Sequence, residues 1–248
     1  MPLITHQISS VSDLIEILRR DFLPPTITWY RGHSNSSWGL VPSIARNPAH
    51  LQAELTAIKM FKQNAWTHLK DRPSDEWEWM FLMQHHRAPT RLLDWSESPL
   101  IGLFFAVEEQ DQLGEEGALW LLNPVSLNRQ SGHRRAFDLD ILAFGADAEL
   151  EQYVPEQVNA RRVMLDPVAI IGPRNSARMV AQSGTFTIMH ANPKPIEQLG
   201  DVGHVQKVLI PANAKARIHT ELRLLGITEY SVYPDLDRLS ALARSLFQ

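Results

Sequence analysis

The chain has 248 residues, 44% hydrophobic and 21% charged, a balance that suits one sizeable globular domain and excludes disorder as the main state. Against 28 Asp and Glu stand 24 Lys and Arg, so the net charge is −4, which argues against a general nucleic-acid coat. There is no Cys, which excludes disulfides, thiolate zinc sites, iron–sulfur clusters and cysteine nucleophiles. The longest apolar-rich run, Pro99 to Val107, falls well short of the roughly 20 residues needed to span a bilayer. The N-terminus shows no basic region followed by an apolar one. The expectation is a cytoplasmic protein with no membrane partner.

Ser10 reads as the cap of a first helix, in which Val11, Leu14, Ile15, Leu18 and Phe22 recur at helical spacing and Pro24-Pro25 marks the stop. Thr26 to Tyr30 is β-branched and aromatic, a strand that delivers Arg31-Gly32 at its end. Leu51 to Leu69 carries the pattern of a long amphipathic helix, and Ser74 to His86 that of a Trp-rich one. Ala88-Pro89-Thr90 breaks it, and Arg91 to Trp95 is short and extended. Ser98 then caps a helix with Pro99 in its first turn, where a missing N–H costs nothing. Strands are expected at Gly117–Leu122, Val168–Ile171, Phe186–Met189 and Val205–Ile210. Helical spacing returns at Ile218, Leu222 and Leu225, and again at Leu236, Leu239, Leu242 and Leu246. Helices and strands mix without regular βαβ alternation. The fold class is therefore α+β, a single domain over residues 1–248 with a mixed or antiparallel central sheet flanked by helices.

Three segments concentrate chemistry. In Tyr30-Arg31-Gly32, an Arg on a buried strand needs an anion or carbonyls, with Asp94 an obvious partner, and Gly32 permits close approach of a ligand or a neighbouring chain. Gln84 to Pro99 packs His85, His86, Arg87, Arg91, Asp94, Ser96 and Ser98 between apolar anchors, a density suited to a polar site on a rigid turn. Adjacent His side chains diverge by about 100° on a helix, so His85 and His86 do not make a metal pair and no metal is expected. In the third segment, Arg174, Arg178 and Gln182 fall at intervals of four and would share one helix face before Gly184. The basic clusters around Arg134-Arg135 and Arg161-Arg162 read as solvated loops. No glycine-rich nucleotide loop, Walker loop, zincin helix or nucleophile elbow is present.

Together these segments resemble the FRG domain, a bacterial and phage-associated family named for an aromatic-Arg-Gly motif, here Tyr30-Arg31-Gly32. The resemblance continues through His85 to Pro99, Arg178 to Phe186 and the tail around Leu225 to Asp237, a core of about residues 25–240. A second resemblance is to the arginine-type ADP-ribosyltransferases, through an aromatic-Arg-Gly strand followed by Ser96-Glu97-Ser98 at a helix start. It implies an ADP-ribosyltransferase-like fold and NAD as substrate. Arg31, with Tyr30 and Gly32, would take the NAD phosphates or ribose, Arg87 or Arg91 would add a phosphate contact, and Ser96 and Ser98 would shape the nicotinamide pocket. Gln182 would hold the ribose side. Gly184 stands where that family places its catalytic Glu, leaving Glu221 and Glu229 as the nearby carboxylates.

These likenesses imply an effector or toxin, in phage defence, acting on a nucleotide-type small molecule with a protein or nucleic-acid acceptor and an antitoxin or defence-system partner. Two rivals follow from the residues. One is a nucleotide or nucleic-acid hydrolase with His85 or His86 as acid or base and Asp94 orienting it. The other is a non-catalytic ligand-sensing or interaction module in which the polar cluster is structural. In geometric terms the expectation is one pocket lined by Arg31, Arg91, Asp94, Ser96 and Gln182, with His86 at its rim and the N-terminus of the helix after Ser98 facing it.

Overall fold

A computed structural model describes residues 2–22, 26–133, 140–160, 163–244 and 247. In chain order the elements are β1 (Ile4–Gln7), α1 (Val11–Asp21), β2 (Trp29–His33), α2 (Pro48–Ala65), α3 (Glu76–His85), β3 (Leu92–Ser96), α4 (Pro99–Val107), β4 (Gly117–Leu122) and α5 (Pro124–Gln130). There follow β5 (Leu142–Ala143), α6 (Pro155–Ala160), β6 (Val168–Ile171), α7 (Ala177–Ala181), β7 (Gly184–Ile188), β8 (Val205–Ile210), α8 (Ala212–Leu224), α9 (Glu229–Val232) and α10 (Leu236–Arg244). Pro24-Pro25, Arg134-Arg135, Arg161-Arg162 and Leu246 lie outside the described residues.

The strands form one mixed sheet in the order β1-β8-β4-β2-β3-β7-β6-β5, with β1–β8 and β5–β6 parallel and the other pairs antiparallel. The class is α+β, a central sheet with helices around it. β4 shows why both faces are covered: Leu119 and Leu121 join one buried cluster, while Ala118, Trp120 and Leu122 join the other. That is the period-2 alternation of a strand with apolar layers on both sides. α1, α4 and α8 pack on the first face through Leu14, Leu103, Phe104 and Ile218. α3 and the segment around Tyr153 cover β6 and β7 through Trp77, Phe81 and Phe186.

Caps follow the sequence. Ser10, Asp75, Ser98 and Ser176 each accept a hydrogen bond from a backbone N–H in the first turn of α1, α3, α4 and α7. The structure departs from the expectation at three places near the site. β2 begins at Trp29, so Arg31 and Gly32 sit within the strand and not at its end. α7 is a single turn and a half, so Arg174 precedes it and pairs with Glu97, and does not share a face with Arg178. β7 begins at Gly184, two residues earlier than the apolar pattern suggests.

One irregularity shapes the centre of the sheet. β2 runs in register with β4 over five residue pairs, from Trp29–Leu122 to His33–Ala118. With β3 it shares a single pair, Tyr30–Ser96. Beyond that bridge the two strands part, and the half-sheets β1-β8-β4-β2 and β3-β7-β6-β5 diverge. α4 is pressed onto β2 backbone to backbone: a Cβ on Gly32 would lie 2.2 Å from the Gly102 carbonyl oxygen and 2.4 Å from the Ala106 nitrogen. Gly32 thus serves the neighbouring helix.

Candidate functional site

Where β2 and β3 part, a cavity of about 240 Å³ opens. Its walls include Tyr30, Arg31, Trp38, Arg46, Asp94, Ser96, Phe105, Glu108, Arg178 and Gln182. A second cavity, of about 220 Å³, adjoins it through Asp94, Arg178 and Gln182, and is lined further by Gln84, His85, Arg87 and Asn175. The two form a groove across the seam of the sheet.

Arg31 bridges the parted strands. Its Nη1 donates to the Asp94 backbone oxygen at 2.6 Å and its Nε to His33 Nε2 at 3.0 Å. The Asp94 carboxylate, the partner expected from the sequence, turns away and accepts from Gln84 Nε2 at 2.6 Å. No carboxylate lies within ion-pair distance of Arg31 among the described residues. Burial pulls its pKa down to about 10, opposed by Asp94 and reinforced by Arg46, so the guanidinium stays charged at neutral pH. His33 orients it. Burial first, and Arg31 next, push the His33 pKa down to about 3, so the ring is neutral. Its Nε2 accepts from Arg31, while Nδ1 lies 3.1 Å from the Trp38 carbonyl and 3.2 Å from the Trp120 indole nitrogen.

Arg178, at the junction of the two cavities, lies with its guanidinium 5.2 Å from the centre of the Tyr233 ring. Arg87 adopts a left-handed backbone conformation with φ 61° just after α3 and faces the second cavity. Holding a non-glycine residue there costs about 1 kcal/mol or more. Neither arginine, nor Arg46, meets a carboxylate at ion-pair distance among the described residues.

Glu108 closes α4 and faces the first cavity. It accepts from Tyr233 Oη at 2.9 Å. Burial pushes its pKa up to about 7, with Glu109 and Glu229 adding, and Tyr233 and Arg238 opposing. A carboxylate at a helix C-terminus also meets the negative end of the macrodipole. The end of α4 that reaches the cavity is therefore its C-terminus, not the N-terminus expected from Ser98-Pro99.

The structure brings Tyr30, Arg31, Gly32, Asp94, Ser96 and Gln182 together on the first cavity and places Arg87 on the second. The remaining residues singled out in the sequence stand elsewhere. Arg91 is 3% exposed and locked in a two-pronged pair with Glu54, Nε to Oε1 at 2.6 Å, with Nη1 on the His190 carbonyl. It belongs to the packing of α2 against β3, not to the groove. His86 is exposed at the end of α3 and lines neither cavity; its neighbour His85 faces the second, with a pKa lowered by burial and by His86 and Arg178. Glu229 opens α9 and pairs with Arg238, and Glu221 accepts from the Val11 nitrogen and pairs with Arg217.

The two serines are committed within the chain. Ser96 Oγ donates to the Gln182 carbonyl at 2.7 Å and accepts from the Ser98 nitrogen, while Ser98 Oγ caps α4. Gln182 Nε2 donates to the Val232 carbonyl, which ties the groove to the C-terminal segment. Gly184 lies in the β3–β7 ladder opposite Ser96, and no carboxylate extends from β7.

Sequence reasoning missed Glu108, His33 and Tyr233. Glu108 had a signal, since it is the first charged residue after the apolar run of α4. His33 directly follows the aromatic-Arg-Gly motif, and its bond to Arg31 spans only two residues, whereas the role of Tyr233 depends on Glu108, 125 positions away. Among the described residues, no three His, Asp or Glu side chains are grouped to hold a metal ion, and no helix is long and apolar enough to cross a membrane.

The fold and groove define a class: an α+β protein whose central sheet parts over an arginine-lined cleft. Within that class, residues 26–115, from just before β2 to the loop before β4, match the FRG domain. No curated protein and no solved structure matches the chain. The matched segment supplies Arg31, Arg87, Asp94 and Glu108, whereas Arg178, Gln182 and Tyr233 come from beyond it.

Proposed function

We propose that the groove binds a phosphate-bearing nucleotide, with a dinucleotide of the NAD type as first candidate. The observation that carries this reading is a set of guanidiniums without counter-ions. Arg31, Arg46 and Arg178 line one cavity and Arg87 and Arg178 the adjoining one, none with a carboxylate at ion-pair distance among the described residues. Arg31 and Arg178 are partly buried, where an unpaired cation weakens a fold unless an anion neutralises it, while Arg46 and Arg87 are exposed at the edges; Arg matches the geometry of phosphate oxygens. Tyr30, Trp38 and Phe105 in the same wall offer faces for a base or a nicotinamide ring.

NAD is placed first because Arg31 and Ser96-Glu97-Ser98 resemble the arginine-type ADP-ribosyltransferases. In this chain the serines would shape the pocket through the loop they fix, since both hydroxyls are already bonded. The test is calorimetry with NAD, ADP-ribose and ADP on the wild type, Arg31→Ala and Arg178→Ala. Each substitution should weaken binding by about tenfold or more, as loss of a charge-assisted contact does. Binding that is absent, or indifferent to both arginines, overturns the reading.

A further inference from the structure

The first cavity is electrically lopsided. Arg31, Arg46 and Arg178 supply positive charge, while Glu108 and Glu109 line the end formed by α4. A phosphate on the guanidiniums gains from them, and against Glu108 it would be repelled. The carboxyl end must therefore meet another part of the same ligand, one that donates hydrogen bonds.

Glu108 is held for that task. Tyr233 Oη occupies Oε1 at 2.9 Å, and Oε2 has no hydrogen-bond partner among the described residues. Tyr233 is itself fixed, with the Arg178 and Arg238 guanidiniums 5.2 and 5.4 Å from its ring centre. A carboxylate accepts and does not donate, and the neutral donors that a nucleotide carries next to its phosphates are the ribose hydroxyls. An acidic side chain on a ribose hydroxyl is a recurring solution in nucleotide sites of other folds.

We propose that Glu108 reads a ribose hydroxyl of a nucleotide whose phosphates lie on Arg31 and Arg178, with Tyr233 as its positioning residue. The proposal rests on the nucleotide reading of the groove and adds its polarity: phosphate toward the arginines, sugar hydroxyls toward the end of α4. Burial brings the ionisation of Glu108 close to neutral pH, so its accepting form dominates only above about pH 7. The groups facing it are Tyr233 and Glu229 of the α9 segment, Arg238 of α10 and Glu109 beside it.

The experiment compares ADP with 2′,3′-dideoxy-ADP by calorimetry at pH 6 and pH 8. Both ligands carry the same phosphates, so the ratio of their affinities cancels phosphate ionisation. The wild type should favour ADP about tenfold at pH 8, shrinking to about two- to threefold at pH 6. Glu108→Gln should bring the preference within about twofold at both pH values. Tyr233→Phe should keep a preference and move its pH midpoint upward, because the lost hydrogen bond favours the carboxylate. A wild type that binds ADP through Arg31 and Arg178 yet ignores the hydroxyls, or a Glu108→Gln variant that keeps the preference, overturns this proposal alone. Failure of ADP to bind overturns the nucleotide reading first.

Discussion

Arg31 in β2 and Arg91 immediately before β3 are the same residue type at one sheet, and the molecule treats them in opposite ways. Arg91 is saturated: Glu54 grips it with both carboxylate oxygens, the His190 carbonyl takes a third donor, and water is excluded. Arg31 is also drawn out of water, yet it meets only a carbonyl and a neutral imidazole. A paired buried charge is scaffold, whereas a desolvated charge left without a counter-ion stores an attraction that only an incoming anion can satisfy. What separates the two residues is a carboxylate on α2, a helix that begins after Arg31 and ends well before Arg91.

The sharpest way to break the comparison is to unpair Arg91. Glu54→Ala would strand a buried guanidinium and should cost about 3–5 kcal/mol in denaturant unfolding. A cost under about 1 kcal/mol would show that water reaches the pair. Next in size is Gly32→Ala. The added methyl would collide with the backbone of α4, and the helix must shift at a cost of about 2–3 kcal/mol. Because that shift moves Glu108 and the wall beside Arg31, nucleotide affinity should fall with stability.

Glu108→Gln gives a smaller, pH-dependent effect. The folded-state pKa of Glu108 is raised to about 7 from an ordinary 4.5, so the stability linked to its proton is present below pH 4.5 and is lost as pH rises through 7. Gln carries no such penalty. The variant should therefore gain about 1–2 kcal/mol on the wild type between pH 5 and pH 8, measured by thermal or denaturant melts at both pH values. Smallest in stability is Arg31→Met, which removes an unpaired cation and keeps an apolar stem. It should stay within about 1 kcal/mol of the wild type, while nucleotide affinity drops at least about tenfold. If it unfolds the protein as Glu54→Ala does, Arg31 is scaffold after all and the contrast collapses.

Much of the fold was legible because its signals are local. Gly117–Leu122, Val168–Ile171 and Val205–Ile210 are strands with the boundaries expected from their apolar runs, and Ser10 and Ser98 cap the helices assigned to them. The edge strand Ile4–Gln7 escaped notice because it is mostly exposed and carries two polar residues at its end. At the candidate site, the aromatic-Arg-Gly strand and Gln182 line one cavity, as expected. Arg91 did not, because its partner, Glu54, lies thirty-seven residues away and nothing in the local pattern couples them. Asp94 looked like the counter-ion of Arg31 only while backbone and side chain could not be told apart: its carbonyl takes the guanidinium and its carboxylate takes Gln84. Glu108 sits at a helix end, and its significance depends on Tyr233, which arrives 125 positions later.

The seam between β2 and β3 has a consequence for the order of events on the ribosome. β2 and α4 can dock as soon as they emerge, but β3 finds its full partner only in β7, and β4 its second neighbour only in β8. The groove draws Arg31 from near the start of the chain, Arg178 and Gln182 from its third quarter and the Tyr233 that steadies Glu108 from near its end. Such pairings over long stretches of chain are slow steps in folding. A nascent chain that has exposed β2 to α4 but not yet α9 would therefore display Arg31 and Glu108 without the walls that hold them together. Whatever the groove captures, it should capture only after synthesis has passed Tyr233.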